Sequence, residues 1–238
     1  MEDQTNRGRR EEVLTVAAAV FSEKGYRAST IQDIGRELGI TSAALYYYFS
    51  SKQEILSELI VRPIQQLEAM SAEVVASDLG NREKLSEIVR RHTNMMLQQR
   101  ELFTIFLRER VELEPVHAKR LAELEERYYR KIRSVLEAAE RSGEIRAVSP
   151  QLVALGVIGM TNWVLRWYKP NGPLGMAEIA EGLMDIVQNG VFKAPADGAA
   201  AEPARKSQKT PASTKSSAKR ASVGKKTTQR RKPVLAKT

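Results

Sequence analysis

The chain has 238 residues, 42% of them hydrophobic, no cysteine, and a formal charge of +9 at pH 7. That length carries one or two domains with a substantial core, and the missing thiols exclude a disulfide framework, a cysteine nucleophile and a thiolate metal site. The charge is unevenly placed: from Ala194 onward 12 lysines and arginines face Asp197 and Glu202, a local balance of +10, whereas the preceding 193 residues balance at −1.

Taken in order, the body reads as nine helices, with no strand alternation and no internal repeat. The start, MEDQTNRGRR, has no apolar core and is not read as a secretory signal. The first helix, about residues 9–24, buries Val13, Val16, Ala17, Val20 and Phe21 and stops at Gly25. Thr30 and Asp33 fit a capping box, and Ile31, Ile34 and Leu38 share one face of the helix it opens. Gly39 stands where a helix end takes a left-handed residue, with Ile40 packing beneath. Thr41 or Ser42 then caps a third helix whose Leu45 and Phe49 face inward and whose Ala43, Tyr46 and Tyr47 face out. Two short helices joined by a glycine-containing turn form a helix-turn-helix, the second helix of which fits the DNA major groove.

Ser51 and Glu54 suggest a capping box opening helix four, which runs towards residue 76 with a kink expected at Pro63. Further helices fit about 82–99, 101–113 and 116–141, the last two separated by Glu114-Pro115, and Gly143 closes the seventh. Ser149-Pro150 has the form of a cap followed by proline at the first helical position. Helix eight spans about 150–168, the KPNGP loop breaks it, and helix nine covers about 175–192. The run Leu152 to Tyr168 is the most apolar, yet it contains Thr161, Asn162 and Arg166 and is too short and polar to span a bilayer. No membrane association is expected, and the location expected is cytoplasmic.

Three regions follow: a helix-turn-helix DNA-binding domain at 1–52, a six-helix domain at 53–193, and a basic tail at 194–238. The tail, rich in Ala, Ser, Thr, Pro and Lys, cannot bury enough apolar surface to offset its ordering entropy and is expected to be disordered. Its cations can neutralise phosphates without reading sequence. A solvated extension with no specific partner is the other reading.

The strings AAAVFSEKGY, TIQDIGRELGI and LYYYFSSKQEIL resemble the DNA-binding domain of the TetR family of bacterial repressors. The resemblance rests on Ala17, Phe21, Gly25, Thr30, Ile34, Gly39, Leu45, Tyr46, Tyr48, Phe49, Lys52 and Leu56, and covers roughly residues 8–60. It implies that amides at the helix capped by Thr30 hold a phosphate, that Tyr46 and Tyr48 touch the DNA backbone, and that Lys52 grips phosphate. Thr41, Ser42, Ala43, Ala44 and Tyr47 lie where base edges are read, and Arg7, Arg9 and Arg10 precede helix one near the minor groove. The recognition helix lacks Arg, Asn and Gln, so the operator sequence does not follow from it.

The resemblance also implies a homodimer in which helices eight and nine pair with their copies. Leu152, Leu155, Gly156 and Gly159, with Trp163, can supply that face on helix eight, and Ile179, Leu183, Ile186 and Val187 on helix nine. A two-fold dimer matches a palindromic operator with half-sites roughly 34 Å apart. In GMTNWVLRWYKPNG, Trp163 and Trp167 are four apart and expected to stack, with Arg166 beside them, a combination that suits a flat, anionic molecule. Core or interface packing is the other reading of each tryptophan. The segment resembles the TetR-like regulators that sense acyl-coenzyme A thioesters in fatty-acid or steroid-ring catabolism. That implies a coenzyme site at Trp163, Arg166 and Trp167 and an acyl pocket lined by Met95, Met96, Phe103, Phe106 and Tyr128; a free hydrophobic effector is the alternative ligand, and no permanent cofactor is expected.

An enzyme is not expected. His92 and His117 lie in different helices, outside any metal-spaced pair, and no phosphate loop or catalytic triad spacing is present. The acidic runs Glu109, Glu112, Glu114 and Glu123, Glu125, Glu126 read as solvated faces. The rival function is an architectural, nucleoid-type DNA protein acting through its tail.

Overall fold

Local capping chemistry fixes the first four helices of the computed structural model, which describes residues 2–194. Helix α1, Glu2–Lys24, ends where Gly25 takes a φ of 79°, a left-handed conformation unfavourable to any residue with a β-carbon. Helix α2, Ile31–Leu38, opens on a complete capping box: the Asp33 amide donates to Thr30 Oγ1 at 3.1 Å and the Thr30 amide donates to Asp33 Oδ2 at 2.9 Å. Of the two candidate caps for α3, Ser42–Tyr48, the residue used is Thr41, whose Oγ1 accepts from the Ala44 amide at 3.2 Å. Helix α4, Lys52–Ala76, is capped by Ser51 Oγ, which accepts from the Glu54 amide at 3.1 Å. The return half of that expected box is displaced by one residue, because the Glu54 carboxylate accepts from the Ser50 amide and hydroxyl instead.

The remaining elements are α5, Asn81–Gln98, α6, Arg100–Glu109, α7, Pro115–Arg141, α8, Pro150–Trp167, and α9, Met176–Val191. The helix expected over 101–113 is shorter: it stops at Glu109 and tightens into one 3-10 turn, Arg110–Glu112. Pro115 explains this, since it drives Glu114 into an extended conformation and Leu113 follows (ψ 153° and 135°). Helix α4 continues through Pro63. After α9 the chain makes an isolated antiparallel bridge, Ile145 to Phe192, which ties the end of α9 to the α7–α8 loop. Among the described residues no helix is long and apolar enough to cross a membrane. The expected disordered tail lies, Ala194 apart, outside the described residues.

One continuous apolar core runs from Val13, Phe21, Ile34 and Phe49 through Ile60, Leu85, Met96 and Phe103 to Leu136 and Phe192. Each fully buried Leu, Ile or Phe in it contributes about 1.5–3 kcal/mol. Helix α4 packs against α7, α7 against α5 and α8, and α5 against α9. Helix α4 packs against α1 as well as against α5, α6 and α7. The boundary proposed at 52/53 therefore falls at the start of a helix shared by both regions.

Candidate nucleic-acid interface

Helix α3 presents an apolar inner edge and an aromatic outer one. Leu45 and Phe49 are buried, whereas Tyr47 is 77% and Tyr46 53% exposed. Thr41 and Ala43 are exposed, and Ser42 and Ala44 half-buried. The close seating of α3 on α2 depends on Gly35, which the sequence reading passed over. A β-carbon there would lie 2.8 Å from the Ile40 carbonyl oxygen and 3.5 Å from Leu45 Cδ1. The signal was an isolated glycine inside a short helix. Thr30 is exposed, with its hydroxyl and amide both bonded to Asp33. Those Thr30 hydrogen bonds, then the Lys24 ammonium 2.9 Å away, hold the Asp33 carboxyl well below its usual range.

Three residues expected to touch DNA are turned inward. Arg10 donates to the Tyr48 carbonyl and to Glu58 Oε2 at 2.8 Å, lies 3.5 Å from Glu54, and covers the Phe49 ring at 4.1 Å. It ties α1 to the end of α3 and the start of α4. Lys52 donates to the carbonyls of Tyr26 and Ser29 and lies 4.1 Å over the Tyr26 ring. The α1–α2 turn leaves those carbonyls pointing at the start of α4, and the ammonium bridges them; its burial there lowers its pKa. Tyr48 is half-buried against the core and meets the Tyr47 ring edge-on at 5.1 Å, so it braces its neighbour. Arg9 stays exposed, in a surface pair with Glu12 at 2.6 Å.

The far end of the body carries an apolar surface. Leu152 (70% exposed), Leu155, Trp163 and Ile186 (61%) are exposed, and Gly156 and Gly159 lie open beside them. Ile179 and Val187 do not belong to that surface. Ile179 packs with Leu97, Val164 and Tyr168, and Val187 joins the main core, because this side of α9 lies against α5. Leu183 is half-buried between the two groups.

Trp163 and Arg166 line a cleft of about 390 Å³ between α6 and α8, with Thr104, Leu107, Arg108, Gly159, Asn162 and Leu165. Arg108 and Arg166 have no carboxylate within ion-pair distance among the described residues. Trp167 lines a separate recess of about 240 Å³ with Tyr168, Lys169, Gly172, Pro173 and Leu174. The two tryptophan rings therefore do not stack: α8 ends at Trp167, and the following loop folds under that ring alone. Met96, Phe103, Phe106 and Tyr128 are buried core behind the cleft wall, and Met95 is half-buried, so none of the five lines the cleft itself.

Two further features escaped the sequence reading. His92, on the apolar face of α5, is buried with Nδ1 2.8 Å from the Tyr128 hydroxyl and 3.2 Å from Thr161 Oγ1. Burial pushes its pKa down to about 3 and that of Tyr128 up. Its spacing of four from both Ile88 and Met96 was the available clue. Glu112 is not part of a solvated face. Its carboxylate pairs with Arg27 at 2.8 Å, its carbonyl accepts from Gln53 Nε2 at 2.6 Å, and Gln53 Oε1 in turn accepts from the Glu114 amide at 3.2 Å. The turn that ends α6 is thereby fastened to the first turn of α4.

Residues 13–59 match the family described as bacterial regulatory proteins, tetR family, and residues 78–191 match the tetracyclin repressor-like C-terminal domain. The chain is 31% identical over 193 residues to the HTH-type transcriptional repressor KstR2 of Rhodococcus jostii (strain RHA1), covering 77% of this chain and 91% of that protein. Among solved structures it is similar to the ketosteroid transcriptional regulator KstR2 of Mycobacterium tuberculosis, with a TM-score of 0.69 and 30% identity over 78% of this chain and 96% of that one. It is likewise similar to the TetR family transcriptional regulator PfmR of Thermus thermophilus, with a TM-score of 0.70 and 30% identity over 74% and 97% of the two chains.

Proposed function

The chain belongs to the TetR family of bacterial regulatory proteins, and from that premise we propose that it is a homodimeric, effector-released transcriptional repressor acting in the cytoplasm. In this reading α3 enters the major groove and reads a palindromic operator through Tyr47, Ala43, Ala44, Ser42 and Thr41, with Tyr46 and Arg9 on the phosphates. The exposed apolar surface of Leu152, Leu155, Gly156, Gly159 and Ile186 is the two-fold interface.

The observation that carries the effector is the α6–α8 cleft. Its apolar lining, Leu107, Leu165 and Trp163, is flanked by two guanidinium groups, Arg108 and Arg166, which have no carboxylate partner among the described residues. An indole face beside two free arginines suits a ligand that joins a flat aromatic group to phosphates, as the coenzyme half of an acyl-coenzyme A does. Arg108 and Leu107 stand directly before the Arg110–Glu112 turn, and Glu112 holds Gln53 and Arg27. Ligand that displaces α6 would pull on the first turn of α4 and change the separation of the two recognition helices. Operator affinity needs both helices in register, so a displacement of a few ångströms suffices for release.

The relatives are transcriptional regulators, and we read this chain as one of them, without catalysis. The tail-driven architectural alternative is separated by deleting residues 194–238, which leaves operator preference intact in a regulator and abolishes most binding in an architectural protein. The effector site is tested by intrinsic fluorescence, because the chain's two tryptophans are Trp163 and Trp167. Acyl-coenzyme A thioesters should quench that emission saturably while the matching free acids do not, and Arg166→Met combined with Arg108→Met should abolish the response. Equal quenching by acid and thioester would refute the coenzyme assignment.

A further inference from the structure

Resting on the reading of an effector-binding regulator, we infer that His92 is the polar anchor of an effector site that opens within the packed α5–α8 core, where its Nε2–H donates to a carbonyl oxygen in an otherwise apolar ligand. The ring is fully enclosed by α5, α6, α7 and α8, 6.5 Å from the Phe103 ring and edge-on to Tyr128 at 5.5 Å. Its two nitrogens are treated differently. Nδ1 faces two hydroxyls, those of Tyr128 and Thr161, whereas Nε2 is buried and has no hydrogen-bond partner among the described residues.

The tautomer follows from where each hydroxyl proton can go. Thr161 Oγ1 lies 2.9 Å from the Val157 carbonyl and 3.0 Å from that of Ile158, so its proton has a backbone acceptor. The Tyr128 hydroxyl has His92 Nδ1 as its hydrogen-bond partner, and its proton must go there to be satisfied. Nδ1 is then the acceptor and Nε2 carries the hydrogen. Burial keeps the ring neutral, in line with its lowered pKa. A buried donor without a protein partner is rare in folded proteins, and this one is placed to meet an acceptor from outside the chain.

The class of occupant follows from the surroundings. Met96, Phe103 and Tyr128 make the neighbourhood apolar, and among the described residues it offers the Nε2–H and no cation. It therefore fits an uncharged acceptor, a ketone or thioester carbonyl, and not a carboxylate. The α6–α8 cleft lies one residue away from these neighbours on each helix. Thr104 and Asn162 line the α6–α8 cleft, and the residues preceding them, Phe103 and Thr161, are the ones beside His92. A ligand held at Trp163 and Arg166 by its coenzyme end would reach His92 by parting α6 from α8.

The test uses the full-length protein labelled with 15N-histidine, in which His92 and His117 are the two histidines and His117, at the α4–α7 surface, is the internal control. Three probes are added separately: decanoyl-coenzyme A, its thioether analogue S-decyl-coenzyme A, which lacks only the carbonyl oxygen, and the apolar ketone 2-decalone. The expected result is a protected His92 Nε2–H signal that moves with decanoyl-coenzyme A and 2-decalone, holds still with the thioether, and leaves His117 unchanged. His92→Phe should weaken decanoyl-coenzyme A binding at least tenfold while leaving S-decyl-coenzyme A binding as it was. A His92 signal unmoved by both carbonyl probes, or one whose Nε2–H stays in contact with a resident water as they bind, overturns the anchor. Operator release measured in parallel separates the two claims: release by decanoyl-coenzyme A with a silent His92 keeps the regulator and removes the anchor.

Discussion

Arg10→Ala separates a structural arginine from a DNA-contacting one. The side chain is about a third exposed, donates to the Tyr48 carbonyl, pairs with Glu58 at 2.8 Å and covers Phe49 at 4.1 Å. Hydrogen bonds from a charged donor contribute about 1.5–3 kcal/mol and an exposed cation–π contact about 0.5–1 kcal/mol. Solvent screening of the carboxylate pairs removes part of that, leaving a loss of about 2 kcal/mol. For a body of this size the melting temperature should fall by about 4–8 °C. The salt dependence of operator binding should not change, because no phosphate contact is lost. A phosphate-bound Arg10 would instead lower the slope of log K against log salt by about 0.9 per subunit, or about 1.8 per dimer. Calorimetric melting together with anisotropy titrations between about 50 and 200 mM salt decides the matter. An unchanged melting temperature with a flattened salt slope would refute the inward assignment of Arg10.

Tyr47→Ala should abolish specific operator binding while leaving the stability within about 0.5 kcal/mol of wild type, since its side chain is 77% exposed; a destabilised variant would make it a packing residue. Gln53→Ala cuts the link between Glu112 and the first turn of α4, so effector and operator should each bind alone as before while their mutual antagonism, of about 1–3 kcal/mol in such systems, shrinks. Leu152→Glu together with Ile186→Glu should yield folded monomers by light scattering, and a persisting dimer would move the interface elsewhere. Because His92 is depressed from 6.5 to about 3 in the folded state, the unfolded chain takes up a proton below pH 6.5 that the folded one refuses. Its stability contribution is therefore complete above that pH and lost as pH falls, at up to about 1.4 kcal/mol per unit, and urea unfolding of His92→Phe should lack this component.

The fold was legible because its signals are local. Thr30 with Asp33, Gly39, Ser51 and Ser149-Pro150 each mark a helix end by a hydrogen bond that spans three or four residues, and those limits follow to within a few residues, whereas α1, which has no such signal at its start, begins at Glu2 and not near residue 9. The departures arise where a distant group decides. Arg10 and Lys52 were read as cations free for phosphate, yet Arg10 bonds residues 38 and 48 positions away and Lys52 bonds one 26 positions away. Ile179 and Val187 carry the same periodicity as Ile186, and only the seating of α9 on α5 tells which side is covered. Trp163 and Trp167 share a helical spacing, but the end of α8 puts the second over a different recess. His92 is hidden from sequence reading for the same reason: its partners, Tyr128 and Thr161, come from two other helices.

The most direct test of the central claim is an anisotropy titration of the full-length dimer on DNA from the promoter upstream of its own coding sequence. Salt is fixed, competitor DNA is present, and acyl-coenzyme A thioesters are compared with their free acids. The account predicts specific binding that one class of thioester reverses and its acid does not, with the reversal lost in Arg108→Met combined with Arg166→Met. Specific binding indifferent to every thioester, or reversed equally in that double variant, would contradict it.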